Sequence, residues 1–232
     1  MKNYNLNITE DKITISDFAN TRYRKHSLVM HVAETDVMKE FAKVVTQNGG
    51  DILEIGFGMA ISANEIQTYN IKSHTIIEKH PEIYEIACEW AKDKPNVTVI
   101  HGDWINIIPT LDEKFDGIYM DTFCPEDETF DINKSEEEQK KMLDFFFEKP
   151  SENEWNKYIS FEDYCKTIAN EGCILSIYEY SKFRKDLNFT IVDTDWGIDG
   201  YPKNHKFCWT HFSKGEFNKK ERIDELEYID SS

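Results

Sequence analysis

Apolar residues in this chain recur at helical spacing, then in short runs that alternate with further helical stretches. Val37, Met38, Phe41, Val44 and Val45 mark one face of a helix predicted from about Thr35 to Gln47, and Asn48-Gly49-Gly50 supplies its stop. The apolar approach Leu28 to Glu34 leads into it. Strand 51–55 follows, then a helix from Met59 to about Gln67, then strand 74–78. Pro81 opens the next helix, with Ile83, Ile86, Ala87 and Trp90 on one face. Val97 to His101 and Phe115 to Met120 read as two more strands. Strand–helix alternation of this kind implies a parallel sheet with helices on both faces.

The rhythm breaks over residues 124–170. From Glu126 to Asp163 there are 13 acids and five lysines, and helical runs are predicted around 134–148 and 161–170. We read this as an inserted acidic helical lid, with surface decoration as the plainer alternative. Strand Cys173 to Tyr178 comes next, and strands near 189–196 and 206–212 would complete the sheet as an antiparallel pair. The charged tail from Lys214 frays or packs as one helix. At the other end, Lys12 to Ser16 alternates like a short strand, and Arg22 to Lys25 is a small basic cluster. The expected architecture is α/β: a doubly wound, mostly parallel, seven-stranded sheet in a single domain spanning 1–232, with an N-terminal segment, 1–34, covering the site.

The densest chemistry lies at the end of strand 51–55. Gly56 and Gly58 let the backbone turn tightly and approach a ligand, and the helix that starts near Met59 directs free N–H groups at it. A lone G-x-G turn is weak evidence. However, Gly56, Glu78, Asp103 and Asp121 all fall at the carboxyl ends of predicted strands, where open α/β sheets bind ligands. Glu78 suits the two hydroxyls of a ribose. Ile61 stands where a dinucleotide fingerprint needs its third glycine, and there is no phosphate-binding G-x-x-x-x-G-K-[ST] loop. An adenosine without a phosphate chain, such as S-adenosylmethionine, fits better. Trp104 could contact the adenine or simply fill the core. Glu34 could be only a helix N-terminal acid favoured by the dipole.

Charge narrows the partners. With 44 acids against 27 bases, the formal charge of −17 argues against nucleic acid or an anionic membrane and is compatible with a cationic substrate. Five cysteines, odd in number and without a CxxC pair, suit a reduced, cytoplasmic protein with no zinc cluster. No signal peptide or membrane-length apolar run is visible, and oligomeric state, monomer or homodimer, stays open.

Residues 29–123 resemble guanidinoacetate N-methyltransferase, a class I S-adenosylmethionine-dependent family with a Rossmann-like fold. The resemblance is carried by Val29-Met30 with Glu34-Thr35 and Met38, by Gly56-Phe57-Gly58-Met59-Ala60-Ile61, and by Phe115-Asp116-Gly117-Ile118 with Asp121-Thr122. It implies that Met30, Met38, Gly56, Gly58, Met59, Ala60, Ile61, Glu78, Asp103 and Trp104 line the cofactor site. It further implies that Glu34 and Asp121 hold the guanidino group, and that Tyr180 and Ser181 hold the acceptor's far end. Three departures stand out: Ile105 follows the tryptophan where the family has an acid, Ala33 replaces an aromatic before the glutamate, and the segment after Asp121 is longer.

A guanidinium is a poor nucleophile because its nitrogens are protonated and delocalised. Two carboxylates can grip it bidentately and take the proton as the new C–N bond forms, Asp121 being the expected base. The acceptor implied is a small guanidino compound, guanidinoacetate or arginine-like, or an arginine-containing peptide or protein. A non-catalytic, cofactor-binding interaction protein is the alternative of another class, although it would have no need for the paired carboxylates.

Overall fold

The computed structural model describes residues 5–15, 28–122, 161–178, 188–193 and 204–217. The basic cluster Arg22–Lys25, the expected insertion up to residue 160, Tyr180, Ser181 and most of the tail lie outside the described residues.

Ten strands are described, in two sheets. The small one is antiparallel: β1 (Leu6–Ile8), β2 (Lys12–Ile15) and β3 (Leu28–His31), in that order. The large one contains β4 (Asp51–Ile55), β5 (Ser73–Glu78), β6 (Val97–His101), β7 (Phe115–Met120), β8 (Ala169–Tyr178), β9 (Asn188–Asp193) and β10 (Asn204–His211). Its order is β6-β5-β4-β7-β8-β10-β9. The first five pair in parallel, and β10 runs antiparallel between β8 and β9. The seven-stranded, mostly parallel sheet expected from the alternation is therefore present, its last two strands forming an antiparallel pair.

Helices cover both faces. Helix α1 (Thr35–Val45) packs Val37, Met38, Phe41 and Val45 with Ile52 and Tyr119 of the sheet. α2 (Ile61–Ile66) and α3 (Pro81–Ala91) share a second cluster around Phe57, Ala63, Ile76, Ile83 and Ala87, which Ile13 of the small sheet joins. The opposite face carries α4 (Trp104–Ile107) and α5 (161–168), with Trp104, Ile108, Phe161 and Cys165 against Leu53, Ile118 and Leu175.

Several boundaries differ from the sequence reading for identifiable reasons. α2 starts at Ile61 instead of Met59 because Ala60 is left-handed, φ 62°, and cannot belong to a right-handed helix. α5 ends at residue 168 and β8 begins at Ala169, four residues early, because Ala169 pairs with Phe115 through a bulge in the ladder. Ile86 is exposed, and the buried stripe of α3 runs through Ile83 and Ala87 instead. Leu28 to His31 is a strand rather than a run into the helix, because β2 offers it a partner.

Gly117 sets how closely α1 can lie on the sheet. A Cβ at this position would sit 2.1 Å from the Val45 carbonyl oxygen, a rigid backbone atom. Gly117→Ala is expected to destabilise the protein by about 2–3 kcal/mol, the range for overpacking a core that cannot yield. Urea unfolding of the variant beside the parent measures it.

Candidate active site

The strand order reverses at β4, with β5 on one side and β7 on the other, and open sheets of this kind bind ligands outside the carboxyl ends of the strands at such a switch point. The turn after β4 is held in an unusual backbone conformation: Gly56 at φ 91°, Gly58 at φ 52° and Ala60 at φ 62°. Only glycine adopts the first two without strain, and Ala60 sustains a conformation costing about 1–2 kcal/mol for a residue with a Cβ.

Neighbouring chain crowds both glycines, with rigid backbone at Gly56 and a side chain at Gly58. A side chain on Gly56 would lie 2.1 Å from the backbone oxygen of Asp121, and one on Gly58 would lie 2.5 Å from Met30 Sδ. The Gly56 N–H donates to the Ile77 carbonyl at 2.9 Å, and the Asp121 N–H donates to the Ile55 carbonyl at 3.0 Å. The residue after β7 is thus pinned against the turn after β4. From the other side, the Met59 N–H donates to Met30 Sδ at 3.2 Å, which fastens the turn to β3.

Glu78, the last residue of β5, meets the turn from the other side. Its carboxylate accepts from the Phe57 N–H at 2.9 Å and from the His80 N–H at 2.6 Å. These bonds use two of about four lone-pair positions, leaving acceptor capacity for a pair of hydroxyls.

Beneath the turn runs a polar network that the sequence reading did not single out. Glu54 and His74 are fully buried, and His74 Nε2 lies 2.9 Å from Glu54 Oε2. The other Glu54 oxygen accepts from the Ser62 hydroxyl in the first turn of α2, and His74 Nδ1 is 3.1 Å from Gln67 Nε2. An amide donating to Nδ1 leaves Nε2–H to donate to Glu54. The clue was available: a glutamate inside the apolar run 52–55 is polar where a fully buried strand should not be.

Glu34 lies in a 3-10 turn, Val32–Glu34, directly before α1. Its Oε1 accepts from the His31 N–H at 2.8 Å, while His31 Nδ1 accepts from the Ala33 N–H at 3.0 Å. This is a reciprocal cap, and it keeps the carboxylate largely buried. Asp121 Oδ2 lies 3.2 Å from the Tyr119 hydroxyl. The same hydroxyl is 3.1 Å from Met38 Sδ, so Met38 is fully buried against Tyr119.

Asp103 caps α4 through the Ile105 N–H and pairs with Lys79 at 3.0 Å. The Trp104 ring stands edge-on to Phe161 and Tyr164 at 5.0 and 5.8 Å, within the core of the opposite face. Glu78 and Asp121 are thus brought against the turn that carries Gly56, Gly58, Met59 and Ala60. Tyr180 and Ser181 fall outside the described residues.

Known proteins share this fold. The N-methyltransferase NodS from Bradyrhizobium japonicum WM9 superposes with a TM-score of 0.51 at 13% identity, covering 78% of this chain and 97% of that one. Spermidine synthase in complex with the transition state analogue AdoDATO does so with a TM-score of 0.51 at 11% identity, covering 79% and 62%. At such identities the likeness concerns the fold alone. Protein arginine N-methyltransferase 2 of Aspergillus oryzae is 40% identical over 101 residues, 41% of this chain and 24% of the relative. The match therefore spans about a quarter of the length of that curated relative. The family model for guanidinoacetate N-methyltransferase matches residues 17–146, more than half of the chain. The chain belongs to the guanidinoacetate N-methyltransferase family.

Proposed function

We propose that the protein is an S-adenosylmethionine-dependent N-methyltransferase that acts on the guanidino group of a small molecule, guanidinoacetate or an arginine-like compound. The observation that carries this reading is the seating of Asp121 against the cofactor turn: its backbone oxygen occupies the space a Gly56 side chain would need. A carboxylate on this residue is therefore built in beside the turn that would hold the cofactor.

The turn from Gly56 to Ile61 and Glu78 would hold S-adenosylmethionine, Glu78 through the ribose hydroxyls, with Met30 beneath the turn. The cofactor supplies an electrophilic methyl group on a sulfonium. Glu34 and Asp121 hold the guanidinium fork bidentately and turn one nitrogen toward the methyl. As that nitrogen is alkylated it becomes acidic, and the Asp121 carboxylate accepts its proton. The small sheet β1–β3, with Met30 on the turn, forms one wall of the site. The protein works in a reducing, cytoplasmic setting, in keeping with the buried thiols of Cys165 and Cys173, which burial pushes to higher pKa and so makes unreactive. No described helix is long and apolar enough to cross a membrane.

A second reading has a specific observation behind it. The matching curated relatives are protein arginine N-methyltransferases 2, which favours an arginine side chain in a peptide or protein as acceptor. Transfer of labelled methyl to guanidinoacetate, arginine, agmatine and an arginine-containing peptide separates the two. Preference for a free guanidino compound supports the first, preference for the peptide supports the second, and transfer to none refutes both.

Three substitutions test the roles. Asp121→Asn should lower kcat about 10²- to 10⁴-fold, the worth of a positioned base, with cofactor affinity nearly unchanged by calorimetry. Glu34→Gln keeps an oxygen for the His31 N–H, so the cap survives while a charge is lost. It should raise KM for the acceptor about 10- to 100-fold. Glu78→Gln should weaken cofactor binding by a similar factor of about 10 to 100, with folding intact by circular dichroism.

A further inference from the structure

Tyr119 is fully buried, and a buried phenol needs a partner for its O–H. It sits two residues before Asp121 on β7, so both side chains leave the strand on the α1 face. The hydroxyl lies 3.2 Å from Asp121 Oδ2 and 3.1 Å from Met38 Sδ. A carboxylate is much the stronger acceptor, so the proton goes to Asp121 and the thioether fills the other side.

The ring cannot easily move. It is stacked at a tilt on Phe41, with centroids 4.8 Å apart. It also lies in a row of residues carrying polar groups that crosses four strands in register: Glu54, Tyr119, Ser176 and Trp209. An aspartate carboxylate by itself has a broad terminal torsion. A donor fixed in the core removes that freedom.

The arrangement also links two elements. Met38 lies one helical turn after Glu34, on the helix that starts directly after it. Glu34 and Asp121 come from different parts of the fold, and Tyr119 touches both supports.

We propose that Tyr119 is a positioning residue for methyl transfer: its hydroxyl orients the Asp121 carboxylate and, through Met38, ties it to the helix behind Glu34. This rests on the reading of Asp121 as the base that meets the acceptor.

Tyr119→Phe keeps the ring against Phe41 and removes only the hydroxyl. With the best acceptor from the four-compound panel, kcat should fall about 10- to 100-fold, the effect of losing a hydrogen bond to a charged group. KM for S-adenosylmethionine and its calorimetric affinity should stay within about twofold, and a crystal structure of the variant should show the Asp121 carboxylate turned. Unchanged kcat overturns the proposal. So does an equal loss in cofactor binding and catalysis, which marks a general structural role. Asp121→Asn, assayed alongside, separates the two claims. If it abolishes transfer while Tyr119→Phe does not, the positioning role fails and Asp121 keeps its own. If Asp121→Asn retains near-normal turnover, or no compound in the panel is methylated, the reading of Asp121 fails and the role of Tyr119 falls with it.

Discussion

The Asp121 carbonyl lies where a side chain on Gly56 would have to be, and the Asp121 N–H is bonded to the Ile55 carbonyl. Two neighbouring parallel strands therefore end in register, with their outgoing turns in direct contact. Parallel strands diverge into separate loops after their last ladder bond. Here the divergence is delayed by one residue on each side, and a residue without a Cβ is the condition for it. The left-handed run Gly56, Gly58 and Ala60 follows, because the chain must then reverse direction within a few residues to start α2.

A turn so strained needs support from below. Glu54, His74, Ser62 and Gln67 provide it, tying β4, α2 and β5 together two residues before the first glycine. Burying such groups costs several kcal/mol when they lack partners and is tolerable when they satisfy one another. The second anchor is Glu78, which accepts from the N–H groups of Phe57 and His80 and so binds the turn to the end of β5. Met30 supplies a third from the small sheet. The turn is thus constrained on three sides, the preorganisation a binding site requires.

A formal charge of −17 gives the protein a net negative field. Such a field raises the local concentration of cationic partners and disfavours phosphates. A cationic guanidinium acceptor, as in our proposal, accords with that charge.

Periodicity and punctuation sufficed for the large sheet, because its parallel strands are short, largely apolar runs separated by polar or glycine turns and its helices carry their own stripes. The glycine turn, Glu78 and Asp121 were legible because open α/β sheets place ligand groups at strand ends. The small sheet was not, since β1 and β3 are short and polar-flanked and become strands only by pairing with β2. Neither the buried Glu54–His74 pair nor the Tyr119–Asp121 bond could be read from spacing. Each depends on which side chains meet across β4, β5, β7 and α1, and a hydrogen-bond partner is a property of three-dimensional proximity. The strand ends and the polar side chains they carry are thus written in the chain's own order. Which of their atoms are engaged, by what, and in what orientation is decided by the tertiary fold, because only packing brings donors and acceptors from distant segments within 3 Å or so.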